Sequence, residues 1–216
     1  MFGLPEFTEF NKRIPKQKFY ENINIKNELK RCFVEQIKGI YWKNKIAATT
    51  VNLKEGKEVK EIEVFEIQLN DGKLDEAVLR QIDKEIPYHI LFILCYENKY
   101  QAWIGYKETA VASKNAFKVE KYYHTEWTDE EQMRFSLNGL DLDEVYENFV
   151  KDIAGDRLQV QSGEELKESI ERAEKREALQ KRIDKLKVKI RKEKQFNLKM
   201  KMNEELKELF EELGEI

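Results

Sequence analysis

The last quarter of the chain has the pattern that most constrains its fold, because its apolar residues recur every three or four positions. Up to residue 190 this spacing forms a seam like that of a coiled coil. The register breaks near residues 194–197, and a second seam follows. A single isolated helix would leave its apolar stripe in water, so the segment is expected to fold back on itself or to pair antiparallel across a dimer. The two seams comprise Leu179, Ile183, Leu186, Ile190, Leu198, Met202, Leu206, Leu209 and Leu213.

Charge changes sign a few residues after the break. Residues 181–201 hold ten Lys or Arg against two acids, whereas residues 204–216 hold six Glu against one Lys. A basic stretch that lies beside an acidic one stabilises either a fold-back or an antiparallel dimer. This charged helical arm is the feature that predicts a docking role, and its seam residues are the predicted contacts with a protein partner or with a second copy.

The rest of the chain is long enough for one domain. Of 216 residues, a domain over residues 1–158 and an arm over residues 159–216 leave enough chain in the domain to bury a core. The formal net charge is −3, so no overall positive field directs the protein to DNA or to anionic lipid. Charged residues make up 38% of the chain, well above the ~25% of an average domain, which indicates long solvated helices.

Strand and helix patterns interleave before the arm. This order predicts a mixed α/β (α+β) fold, with a central mixed β-sheet and helices packed on it. A helical spacing runs from Ile25 to Ile40, and another from Leu74 to Ile86 ends at a proline. The predicted strands are residues 45–53, 62–69, 89–96, 100–107 and 117–122, followed by a short helical turn after Thr128 and a helix over residues 142–153.

The chain shows no signal for export or for membrane insertion. The N-terminus lacks the basic and apolar regions of a signal peptide, and the longest apolar run, residues 90–96, is far below the ~20 residues that span a bilayer. Cys32 and Cys95 are expected to be free thiols of a reducing compartment. The sequence therefore predicts a cytoplasmic protein without membrane contact.

One strand carries residues that suggest chemistry. Glu66 and Gln68 are two positions apart in the run from Glu61 to Leu69, so their side chains are expected on one face. A carboxylate two residues before a polar side chain, on a strand after an N-terminal helix, resembles the metal-and-lysine strand of restriction-type nucleases. That resemblance implies a carboxylate that holds Mg²⁺ and a lysine that stabilises the attacking water.

The match to such a nuclease is incomplete. Gln68 replaces the lysine, and the preceding strand has no Asp as a second ligand, although Mg²⁺ normally needs more than one carboxylate. Glu63 is expected on the opposite face, and a nearby lysine such as Lys45 could take the place of the missing one. We therefore predict no catalytic residues, no metal and no cofactor. The alternative is a divergent metal-dependent nuclease subunit that uses Glu66, Gln68, Glu63, Lys45 and Mg²⁺.

Other candidate sites have weaker signals. His89 and His124 have no partner at metal-ligand spacing and are expected to be structural, and the nine glycines form no phosphate-binding loop. Basic residues near the N-terminus and in the arm could contact phosphates, although a solvated helix face is the commoner reason for such a run. These nucleic-acid candidates are Lys12, Arg13, Lys16, Lys187, Lys189, Arg191 and Lys192.

Four short segments give the chain a wider resemblance: Phe2–Pro5, Asn11–Lys16, Ile86–Phe92 and Arg191–Asn197. With these the chain resembles a bacterial family that is catalogued as a domain of unknown function. Its members are typically encoded beside the DNA methyltransferases and helicases of restriction-type phage-defence loci. The resemblance implies an accessory component of a DNA-processing defence system, and it carries over no catalytic residues.

Two functions of different classes follow from the sequence. The first is a non-catalytic accessory protein whose arm docks a helicase or a methyltransferase, with a basic segment near DNA. The second is the divergent nuclease subunit around Glu66 and Gln68. We favour the first, because the nuclease lacks two of its expected residues, whereas the arm is plainly present.

Overall fold

The computed structural model of the protein describes residues 2–21, 25–109, 117–161 and 163–216. The chain divides into two compact units, Met1–Gly155 and Asp156–Ile216, so the division lies close to the predicted boundary after residue 158. Within the described ranges, no helix has the length and apolarity needed to span a membrane.

The first unit is a mixed sheet with three α-helices. Asp75 and Asp141 cap two of these helices, because each side chain accepts a hydrogen bond from a backbone N–H in the first turn. In chain order the elements are β1 (Glu9–Ile14), α1 (Asn27–Glu35), β2 (Ile37–Ala47), β3 (Glu61–Leu69), α2 (Glu76–Glu85), β4 (His89–Tyr96), β5 (Lys99–Thr109), β6 (Phe117–His124), β7 (Thr128–Asp129) and α3 (Leu142–Ala154).

The strands are arranged in the order β1-β2-β3-β4-β5-β6, and β7 pairs with β5. β3 and β4 are parallel and are joined by α2, whereas the other pairs are antiparallel. Parallel neighbours need a crossover connection, and α2 provides it. The predicted fold class, a mixed sheet with packed helices, is confirmed.

The two faces of the sheet carry different helices. α1 and α2 cover one face, where Phe33 and Val78 pack against Phe65 and Phe92. α3 packs against β3, β5 and β6. Successive side chains of β4 point to opposite faces. Ile90 therefore joins the core under α2, whereas the ring of His89 faces Tyr146 of α3, with ring centroids 4.4 Å apart.

The predicted helix from Ile25 to Ile40 is wrong in its second half. α1 ends at Glu35, and β2 begins at Ile37. Gly39 disfavours a helix, and the aromatic and β-branched residues that follow it favour a strand. Lys16 Nζ donates to the carbonyl oxygens of Val34 and Ile37 at 3.1 and 2.6 Å and so satisfies acceptors where the helix stops.

Two further boundaries differ from the sequence prediction. The expected strand over residues 45–53 stops at Ala47, where Thr50 turns the chain by donating from its hydroxyl to the carbonyl of Lys45 at 2.7 Å. The residues after Trp127 do not begin with a helical turn but with β7. Sheet pairing with β5 has overridden the local capping signal there.

The second unit contains a helical hairpin. α4 (Leu166–Lys192) and α5 (Phe196–Gly214) are separated by a break at residues 193–195, close to the predicted one. Leu179, Ile183 and Leu186 of α4 pack with Leu209 of α5 in one apolar cluster. The arm therefore folds back on itself within a single chain, which is the first of the two arrangements that the seams and charge blocks allow.

Candidate functional site

β3 separates the four residues of the nuclease alternative into two groups. Its pairing with β4 runs without a bulge from Ile62 to Gln68, so odd- and even-numbered side chains lie on opposite faces. Glu66 and Gln68 share one face, as predicted. Glu63 lies on the other face, where Lys45 is its neighbour.

Glu66 is buried with a lysine and an amide as its polar partners. Gln68 Nε2 donates to Glu66 Oε1 at 3.0 Å, and Lys43 Nζ lies 3.7 Å from Glu66 Oε2. Lys43 is left out of the strand pairing by a bulge in β2 between Trp42 and Asn44. Within the described residues, no group of three or more His, Cys, Asp or Glu side chains could hold a metal ion.

The surroundings of the cysteines and histidines favour a structural role over a chemical one. Burial raises the pKa of the Cys95 thiol and of the Cys32 thiol, so both are protonated and weakly nucleophilic at neutral pH. Burial, and then the charge of Lys107, lower the pKa of His89 to about 3. His124 stacks on Trp103 with ring centroids 4.4 Å apart.

A pair of glutamates on the α2 face of β3 was not predicted as a site. Lys45 Nζ lies 2.8 Å from Glu61 Oε2, and both side chains are about one-quarter exposed. Glu63 is only 1% exposed, and its Oε2 has no hydrogen-bond partner among the described residues. Burial and the charge of Glu61 raise the pKa of Glu63 to about 8. The alternation Glu61-Ile62-Glu63 was the signal in the sequence for this acidic pair.

The acidic pair predicts a pH-dependent stability. The folded-state pKa of Glu63 lies above its ordinary value of about 4.3, so the protonated folded form is favoured and stability falls as pH rises toward 8. At about pH 8.5 the free energy of unfolding of Glu63→Gln should exceed that of wild type by on the order of 1–3 kcal/mol, and the difference should shrink toward about pH 5. Urea unfolding at several pH values measures this difference, with a chelator present to remove metal ions. Parallel profiles for the two proteins would contradict it.

A buried ion pair fixes α2 to the sheet. Lys107 Nζ of β5 lies 2.6 Å from Asp83 Oδ1 of α2, and both side chains are almost fully buried. The hydroxyl of Tyr122 donates to the other oxygen of Asp83, and Lys107 Nζ donates to the carbonyl of Tyr88. This network is enclosed in the core, so it holds the fold together rather than binding a ligand.

The basic N-terminal candidates differ in their availability. Lys12 and Arg13 are exposed on the edge strand β1, with Lys12 Nζ lying 4.1 Å from the ring centroid of Phe10. Lys16 is engaged with the carbonyl oxygens at the end of α1. Lys12 and Arg13 remain candidates for phosphate contact, whereas Lys16 has a structural role.

The predicted docking residues of the arm mostly close the hairpin. Leu179, Ile183, Leu186, Ile190 and Leu209 form its buried core, with Met202, Leu206 and Leu213 packed partly buried against it. Arg182 binds Glu205 at 2.7 Å across the two helices, and Lys187 lies 4.9 Å from the ring centroid of Phe210. Among the seam residues, Leu198 is left exposed.

Residues 189–201, where the two helices meet, form what we call the hairpin tip, and Val188 and Phe210 are exposed elsewhere on the arm. Phe196, Leu198 and Met200 are 74%, 41% and 47% exposed. The tip has six basic residues and one acid, Glu193, a net charge of +5. Within the described part of the chain no ion pair involves its basic side chains, which are Lys189, Arg191, Lys192, Lys194, Lys199 and Lys201.

Comparison with known proteins gives a family and no function. A family model described as a domain of unknown function, DUF4391, matches residues 2–213 and so spans nearly the whole chain. No curated protein and no solved structure matches the chain.

Proposed function

The chain belongs to the DUF4391 family, a domain of unknown function, and we propose that it is a non-catalytic accessory subunit of a bacterial DNA-processing system. The system is of the restriction or phage-defence type, and the partner is a helicase or a DNA methyltransferase. The hairpin tip is the docking surface. The resemblance to proteins encoded beside such enzymes supports the choice of system, and the exposed tip supports docking.

The observation that carries the proposal is an apolar surface that the hairpin does not need for its own folding. Ile183, Leu186 and Leu209 already form the hairpin core, whereas Phe196, Leu198 and Met200 face solvent. Phe196 and Met200 are four positions apart in α5 and so share a face of the helix, whereas Leu198 lies on another side. Exposed apolar side chains that share a face mark interaction sites more often than scattered single ones do. Aromatic residues and methionine are enriched at the centres of protein interfaces.

Charge indicates the chemistry of the partner surface. The basic residues of the tip make no ion pair within the described chain, so their charges are available to a partner. An acidic patch around an apolar pocket would complement them and would speed association. The second half of α5 is itself acidic, which disfavours attraction between that region and the same partner surface.

The divergent nuclease is the weaker proposal. Glu66 and Gln68 share a face of β3 as that reading requires, but the charged neighbour of Glu66 is Lys43 rather than a second carboxylate. Mg²⁺ at Glu66 would therefore rely on one carboxylate and on the phosphate of a substrate.

The docking proposal is tested by co-expression with a helicase or DNA methyltransferase of a restriction-type locus from the same genome. Tagged wild-type protein should copurify with its partner after nuclease treatment, which removes tethering through DNA. The triple variant Phe196→Ser, Leu198→Ser, Met200→Ser should lose the partner, because the apolar contacts that stabilise the interface are removed.

Phe7→Ser is the matched control, since Phe7 is 68% exposed but lies outside the arm. This variant should retain the partner. Circular dichroism should show unchanged helix content in both variants. Equal retention of the partner by the triple variant would contradict the docking role of the tip, and copurification of a second copy of the chain alone would indicate self-association instead.

A further inference from the structure

An acidic pair on β3 carries an inference that is independent of the docking proposal. Glu61 and Glu63 are two residues apart on one strand, so both carboxylates lie on the same face. Glu63 is 1% exposed, and its Oε2 is buried without a hydrogen-bond partner among the described residues. A buried carboxylate oxygen without a partner is energetically unfavourable, so a ligand that satisfies it would stabilise the fold.

When both carboxyl groups are ionised, Lys45 is the one cationic side chain seen to pair with them among the described residues. Lys45 binds Glu61 at 2.8 Å and supplies one positive charge for two carboxyl groups. The Trp42 indole is a further polar neighbour of Glu63, but it is neutral. One carboxylate is therefore left without a counter-ion when both are ionised, and a cation of higher charge would neutralise it.

The position of the pair also provides access. Glu61 and Lys45 are 22% and 28% exposed, so a hydrated cation can reach Glu61 from solvent. Glu63 is 1% exposed, so contact with its carboxylate requires Lys45 to move away from Glu61. Two carboxylates are enough to hold Mg²⁺ or Mn²⁺ when the ion keeps several of its waters or takes a phosphate oxygen of a ligand.

We propose that Glu61 and Glu63 bind a divalent cation of the Mg²⁺ or Mn²⁺ type, with Lys45 as the group that the cation displaces from Glu61. The cation takes one oxygen from each carboxylate, and water fills the remaining positions. Glu66 takes no part, because it lies on the opposite face of β3.

Titration of the chelator-treated full-length protein with Mn²⁺ alone tests this site. Electron paramagnetic resonance measures the free ion. Quenching of tryptophan fluorescence that is lost in Trp42→Phe reports that the ion binds beside the pair, since the chain has three tryptophans. We expect one Mn²⁺ per chain. Glu63→Gln should weaken binding at least roughly tenfold, because a ligand is lost. Lys45→Met should strengthen it, because a competing positive charge is removed.

The variants also define the results that would overturn the proposal. Circular dichroism establishes whether Glu63→Gln is folded. Lys45→Met is an independent test, because it should raise the affinity for Mn²⁺ whereas Glu63→Gln should lower it. Absence of Mn²⁺ binding by the wild type would refute the site. Unchanged affinity in Glu63→Gln, or loss of binding in Glu66→Gln alone, would place any cation elsewhere.

Discussion

Lys107→Met should lower the free energy of unfolding by roughly 3–5 kcal/mol, because it leaves Asp83 as a buried carboxylate without its ion-pair partner. The Lys107 and Asp83 side chains are 0% and 1% exposed, so water cannot replace the lost ammonium group. Tyr122 can still donate one hydrogen bond to Asp83. The urea midpoint of the full chain, compared with that of wild type, measures the change.

A second substitution separates the lost charge from the lost packing. Asp83→Leu added to Lys107→Met should recover much of the stability, since no uncompensated charge then remains in the core. Lys99→Met is the surface control: Lys99 and Asp129 form an ion pair at 2.8 Å with both side chains more than half exposed. Loss of this surface ion pair should change the free energy of unfolding by less than about 1 kcal/mol. Similar losses for Lys107→Met and Lys99→Met would contradict the account.

Ile183→Asp should unfold the helical hairpin. Ile183 is 0% exposed in the apolar cluster that joins α4 to α5. Removing such a side chain costs about 2–5 kcal/mol, and the aspartate adds an unpaired charge to the same place. The expected result is a clear loss of helical signal in circular dichroism, together with loss of partner binding, because the tip is no longer held at the end of a hairpin.

The matched control for this change is Val188→Asp. Val188 lies on the same helix but is 49% exposed, so its aspartate remains in water. Helix content should be close to that of wild type. An unchanged helical signal in Ile183→Asp would mean that the hairpin does not depend on its apolar seam.

The sequence was sufficient for elements whose pattern is local. The arm has two apolar seams with a break between them and a change of charge soon after it, so two antiparallel helices follow from the sequence. The same pattern fitted a dimer of arms equally well, and the structure decides for the hairpin within one chain. β4 is apolar on both faces, as a central strand in a parallel pair should be. The helix α2 begins after the capping Asp75 and stops before Pro87.

Patterns that depend on distant residues could not be predicted. The apolar residues from Ile25 to Ile40 fit helical spacing, but pairing of Ile37–Ala47 with β1 and β3 determines the strand. Lys107 and Asp83 have no sequence signal that joins them, because the contact arises from the packing of α2 on β5.

The same distinction between local patterns and distant contacts applies to the candidate sites. Period-two alternation was enough to put Glu66 with Gln68 and Glu63 on the other face. The neighbours of Glu63 depend on the register of β2 against β3, which includes a bulge, and no periodicity reports that register. In the arm, the spacing of apolar residues identified the seam. Which apolar side chains are buried depends on how the two helices pack: Ile183 is buried, whereas Phe196 and Met200 are exposed.

The central claim is that the hairpin tip docks a helicase or a methyltransferase, and calorimetric titration of the purified chain with that enzyme tests it most directly. Wild type should bind saturably. The triple serine variant at Phe196, Leu198 and Met200 should lose at least roughly thirtyfold in affinity, as the loss of an interface hot spot of about 2 kcal/mol does. Equal affinities for wild type, the triple variant and Phe7→Ser would contradict it.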